Sequence, residues 1–144
     1  RRVLTPQIRL ALEAQVRDLG LRGKVRVGGR IPGAARLLPA CDVYCSSSDR
    51  EPFGLVLTEA MAARLPVISS DCGGAPEVVG ERGRYFRRGD DAALAAHGAA
   101  RLQRYQMIPL HHPPRLAVLY QSIALGTLTK LFPSLPGLST RKSH

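Results

Sequence analysis

Residues 51–74 read EPFGLVLTEAMAARLPVISSDCGG, and their order decides the fold. Leu57, Ala60 and Met61 recur at helical spacing, so residues 54–64 are expected to form a helix with these side chains on one face. Pro66-Val67-Ile68-Ser69-Ser70 is a short, nearly continuous apolar run, the pattern of a strand buried on both faces. Asp71-Cys72-Gly73-Gly74 then ends it in a glycine turn. Helix, buried strand and glycine turn in succession form a segment of an α/β protein.

The flanks continue the alternation. Thr5 is placed to cap an opening helix and Pro6 suits its first turn. Ile8, Leu12, Val16 and Leu19 make its apolar stripe, and Gly20 stops it. Lys24-Val25-Arg26-Val27-Gly28-Gly29 alternates as a short strand does, and residues 34–38 read as a short helix broken by Pro39. Asp42-Val43-Tyr44-Cys45-Ser46 predicts a strand opening into a polar loop over residues 46–50. Pro76-Glu77-Val78-Val79 starts a short helix, residues 83–86 a small strand, and residues 90–100 a helix capped by Asp90. The fold class is therefore α/β: a parallel sheet with flanking helices. Ligands of such sheets sit at the carboxyl ends of the strands. There the sequence places Gly28-Gly29, residues 46–51 and residues 71–74.

Composition narrows the chemistry. The 144 residues suffice for one domain with a core, expected over residues 1–97, followed by an atypical basic Pro/Leu/His-rich tail over 98–144. The net charge is +10, but it is uneven: residues 1–91 hold 15 Lys/Arg against 11 Asp/Glu, and residues 92–144 hold 6 and none. Without Trp, and with 5% aromatics, the chain lacks the interleaved aromatic and basic residues of single-strand binders, which argues against nucleic acid. An anionic small ligand or membrane surface fits better. His97, His111, His112 and His144 read as solvated tail residues. Cys41, Cys45 and Cys72 read as reduced thiols of a cytoplasmic protein. A zinc site from Cys41, Cys45 and a later ligand is the sharper alternative, but no second ligand pair follows at a usual spacing, so the thiol reading is preferred. The longest apolar stretch, residues 116–132, is broken by Gln121, Ser122, Thr127, Thr129 and Lys130, so no membrane-spanning helix is predicted.

Glu51 and Glu59 lie eight positions apart, with Gly54 and a helix start between them. A helix amino terminus presents unpaired N–H groups and partial positive charge, and so attracts phosphate. Two carboxylates beside a diphosphate make sense only if they accept hydrogen bonds from neutral hydroxyls on either side of it. Each such bond is worth about 1.5–3 kcal/mol, against roughly 0.3–1 kcal/mol from the helix dipole. On spacing alone, Glu59 could equally be a solvated helix residue and Glu51 a loop charge.

The residues around them resemble the C-terminal, donor-binding domain of the retaining glycosyltransferases with two Rossmann-like domains, the large family 4 of group 1 glycosyl transferases. Phe53-Gly54 follows the first acid, and Glu59-Ala60-Met61-Ala62 carries the second. Cys41-Asp42-Val43-Tyr44, the run from Pro66 to Asp71, Gly73-Gly74, Glu77-Val78-Val79 and Gly89-Asp90 agree, so the resemblance spans about residues 8–97. It implies a nucleotide-diphosphate sugar as donor, transfer with retention, and no cofactor or metal. Glu51 would be the catalytic-site acid, contacting hydroxyls of the donor sugar. The amides of Phe53, Gly54, Leu55 and Val56 would hold sugar and diphosphate, and Glu59 the ribose hydroxyls. Arg30 and Ile31 stand where the family meets the nucleotide base.

Four departures accompany the likeness. Arg64 stands where the family has Gly, and the interval from Arg30 to Asp42 is short. The family's diphosphate-clamping Arg and Lys precede this chain's first residue, so the chain is expected to lack an N-terminal acceptor domain and to be inactive alone. The likeness stops near His97, beyond which Leu116, Leu119, Ile123 and Leu131 could line a basic helix docking on anionic lipid. The expected localisation is cytoplasmic, with a peripheral place on the inner membrane face left open. A non-catalytic remnant of the fold and a nucleotide-sugar epimerase are the alternatives.

Overall fold

A computed structural model describes residues 5–29, 31–48, 53–106 and 116–117. Helix α1 spans Pro6–Asp18; the Ile8 amide donates to Thr5 Oγ1 at 3.3 Å, as the capping pattern requires. Leu12 and Val16 are buried against Leu21, with Leu19, Val25 and Val27 packed around them. Ile8, expected on the same stripe, is instead 43% exposed, because the cluster covers only the later turns of α1.

Four parallel strands follow in the order β3-β2-β1-β4: β1 (Val43–Ser46), β2 (Val67–Ser70), β3 (Arg84–Phe86) and the two-residue β4 (Leu116–Ala117). Lys24 to Gly29 is not a strand, contrary to its alternating pattern. The two edges of β1 pair with β2 and β4, and Val25 and Val27 turn onto α1 instead of joining a ladder. Leu116, expected on a tail helix, pairs with Val43. The rest of that proposed helix lies outside the described residues.

The register explains the core. Tyr44 lies beside Val67 and Cys45 beside Ile68, so alternate residues of β1 and β2 face opposite sides. One side buries Tyr44 and Val67 with Leu38, Leu57, Ala60, Ala75 and Val79, from the 3-10 helix Ala34–Ala40, α2 (Leu55–Ala62) and α3 (Ala75–Val79). The other buries Val43, Cys45, Ile68 and Phe86 with Leu94 of α4 (Asp91–Gln106). Pro39 sits inside its 3-10 helix instead of breaking a turn of α-helix, since that short helix asks less of the backbone N–H groups. Both faces being covered accounts for the unbroken apolar runs of β1 and β2.

Helix α4 is capped as expected, the Ala93 amide donating to Asp90 Oδ1 at 2.9 Å, and it continues past His97 to Gln106. His97 is a half-buried helix residue whose Nε2 lies 3.2 Å from the Tyr85 carbonyl, not a solvated tail residue. Among the described residues no helix is long and apolar enough to cross a membrane.

Candidate functional site

In a parallel sheet all strands end on one side, and the loops after β1 and β2 meet there. Their junction is polar and buried. Ser70 Oγ donates to the Ser48 carbonyl at 2.7 Å and Cys72 Sγ to the same oxygen at 2.8 Å, while Ser70 Oγ and Cys72 Sγ lie 3.3 Å apart. Ser46, Ser48, Ser69 and Ser70 are all buried. Serines at the ends of otherwise apolar strands were the available signal for this junction, but their pairing across 22 residues could not be read from the sequence.

The helix expected between Glu51 and Glu59 begins at Leu55. Its N-cap is Gly54, in the left-handed region at φ 62°, with no side chain capping the open end. The Leu57 and Thr58 amides both donate to the Gly54 carbonyl at 2.9 Å, which leaves the amides of Leu55 and Val56 as the outermost N–H groups of the helix. Gly54 itself is buried, and a Cβ on it would stand 3.1 Å from Val78 Cγ2 and 3.3 Å from Val78 Cβ. The glycine is therefore demanded by backbone angle and by α3, beyond any need to clear room for a ligand.

The structure distributes the expected site residues as follows. Phe53 and Leu55 are 78% and 68% exposed, Val56 is half-buried against the core, and Ile31 is 44% exposed. Glu59 is exposed, one turn after Leu55 on the same outward stripe, while Leu57 and Ala60 face the core. Side chains on a helix lean toward its amino end, the direction in which α2 opens. Glu51 and Arg30 lie outside the described residues. Beyond Ala62 the helix closes through Arg64 at φ 61°: the Arg64 amide donates to Met61 O at 2.9 Å and the Leu65 amide to Ala60 O at 3.0 Å.

The thiols are structural in character. Burial pushes Cys45 up to about 12, and burial, then the neighbouring Asp42 carboxylate, raises Cys41, whose Sγ donates to the Leu37 carbonyl at 3.3 Å. Neither is a ready thiolate for catalysis or metal binding. No cluster of three or more His, Cys, Asp or Glu side chains suited to a metal occurs among the described residues. A separate open cleft of about 320 Å³, lined by Glu13, Val16, Arg17, Arg22, Val25 and Val27, lies against α1 and shares no residue with the α2 opening.

With this geometry in place, the relatives are informative. Residues 5–103 match the family model described as glycosyl transferases group 1. An N-acetyl-alpha-D-glucosaminyl L-malate synthase of Bacillus anthracis is 38% identical over 82 residues, which cover 56% of this chain and 22% of that protein. A phosphatidyl-myo-inositol mannosyltransferase of Mycobacterium leprae is 42% identical over 81 residues, 53% of this chain and 22% of the relative. A lipopolysaccharide core biosynthesis mannosyltransferase of Rhizobium leguminosarum is 34% identical over 85 residues, 58% and 24% respectively. The aligned part of this chain thus spans under a quarter of each relative. The match over residues 5–103, more than two thirds of the sequence, places this chain among the group 1 glycosyl transferases.

Proposed function

We propose that these residues form part of the donor site of a glycosyltransferase that takes a sugar from a nucleotide-diphosphate carrier and passes it to an acceptor with retention. The observation that carries this reading is the α2 opening: a helix that starts at a left-handed glycine, with outermost amides uncapped by any side chain and Glu59 one turn in. The Leu55 and Val56 amides would meet the diphosphate, whose negative charge the helix end favours. Glu59 would accept from the ribose hydroxyls, and Glu51 from the hydroxyls of the transferred sugar. Arg30 and Ile31 would border the base. Oriented amides would stabilise the departing diphosphate, the point where negative charge develops during transfer.

The acceptor domain and a pair of basic residues on the diphosphate are proposed to lie outside this sequence. The named relatives are an N-acetyl-alpha-D-glucosaminyl L-malate synthase and two mannosyltransferases, one of phosphatidyl-myo-inositol and one of lipopolysaccharide core biosynthesis. That supports a role in glycan biosynthesis; a bacterial-type, cytoplasmic setting is proposed with it.

Calorimetry with nucleoside diphosphates and their sugar conjugates tests the division of labour. Glu59→Ala should weaken both ligands by about 1.5–3 kcal/mol, and Glu51→Ala only the sugar conjugate. Equal losses from Glu51→Ala on both ligands would overturn the assignment. Absence of any binding at about millimolar ligand would favour the non-catalytic alternative.

A further inference from the structure

The donor reading leaves the segment from Ser70 to Val78 without a role, although both described ends of the loop between β1 and α2 rest on it. At one end, Ser70 Oγ and Cys72 Sγ donate to the Ser48 carbonyl at 2.7 and 2.8 Å. Ser70 is 1% exposed and Ser48 7%, so little water competes for these bonds. At the other end, Gly54 lies so close to α3 that a Cβ on it would stand 3.1 Å from Val78 Cγ2. Ser70, Cys72 and Val78 belong to one short run of chain: the end of β2, its glycine turn and α3. The loop is thus registered against that run at two points.

The two points serve different parts of the proposed donor site. The Leu55 and Val56 amides belong to α2, which Leu57 and Ala60 hold in the core without help from Ser48. Glu51 stands three positions after Ser48 in the sequence, on the span that the Ser70 and Cys72 bonds tether. We propose that Ser70 and Cys72 are positioning residues for sugar selection, which fix the register in which this loop offers Glu51 to the donor sugar. They act through the loop backbone, and the assignment rests on the donor reading. A carboxylate displaced by about 1 Å leaves hydrogen-bonding range of a hydroxyl, whereas a diphosphate on the α2 amides does not feel that displacement.

The test is calorimetry of the full chain with UDP, GDP, UDP-N-acetylglucosamine and GDP-mannose, beside trypsin cleavage after Arg50, which lies between Ser48 and Gly54. A neutral hydrogen bond is worth about fivefold in an equilibrium, so Ser70→Ala and Cys72→Ala should each weaken the sugar conjugate about fivefold more than its bare diphosphate. Cys72→Ser keeps an O–H donor and should restore the parent's ratio. Cleavage after Arg50 should quicken about fivefold in the two alanine variants and stay at the parent's rate in Cys72→Ser, with cleavage after Lys24 as the internal standard. Circular dichroism checks that each variant is folded. A merely structural role would weaken both ligands alike and quicken both cleavages, and that result overturns the proposal. Equal losses in a parent that prefers the conjugate overturn the proposal and leave the donor reading standing. A parent that binds no conjugate overturns both.

Discussion

Replacing Gly54 with alanine probes the α2 opening without touching a charge. An L-residue at φ 62° costs roughly 1–2 kcal/mol. The added Cβ would meet Val78 Cγ2 at 3.1 Å and Val78 Cβ at 3.3 Å. Val78 is β-branched and helical, so its side chain has little rotamer freedom with which to retreat, and overpacking of this kind costs about 1 kcal/mol or more. Against these, alanine restricts the unfolded chain and returns about 0.4–1 kcal/mol. The net expectation is a loss of about 2 kcal/mol, read as a lower urea midpoint at unchanged slope by far-ultraviolet circular dichroism. In a double-mutant cycle, Val78→Ala should recover part of the loss, with a coupling of about 0.5–1 kcal/mol. A Gly54→Ala protein as stable as the parent, or strict additivity with Val78→Ala, would refute the packing half of the argument.

Arg64→Gly should act in the opposite direction: relief of the left-handed strain exceeds the added chain entropy, for a gain of about 0.5–1 kcal/mol in the same urea titration. Leu57→Ala removes a fully buried side chain between α2 and the sheet and should cost about 2–5 kcal/mol by chemical denaturation. Cys45 gives a pH signature. Its folded value of about 12 lies above the 9.0 of the free thiol, so its contribution is complete below pH 9 and is lost as pH rises toward 12. Under reducing conditions the parent should therefore lose stability relative to Cys45→Ala in that window, at up to about 1.4 kcal/mol per pH unit; identical profiles would show that the thiol does not stay protonated.

Much of this arrangement was legible in the residues themselves. The apolar runs at β1 and β2, the caps at Thr5 and Asp90, and the helix opening after Gly54 depend on local pattern, and the structure has each of them. Lys24 to Gly29 shows the limit of such reading: alternation reports a half-buried extended segment, not what buries it, and here the burial comes from a helix. Leu116 pairs across more than 70 positions with Val43, a contact that no local window contains. Val78 as the reason for Gly54 was hidden likewise, since contact between α2 and α3 depends on how both lie on the sheet. His97 was misread because the helix carrying it runs on to Gln106.

The double acceptance at the Ser48 carbonyl has a consequence for any ligand arriving at this end of the sheet. Two loops sharing one oxygen cannot be displaced separately, so the rim beside α2 is set when the chain folds. The entropy of immobilising that rim is then charged to folding, and a guest meets a wall that is already rigid. Loosening the knot by Ser70→Ala should accordingly appear as slower capture and faster escape of a bound guest.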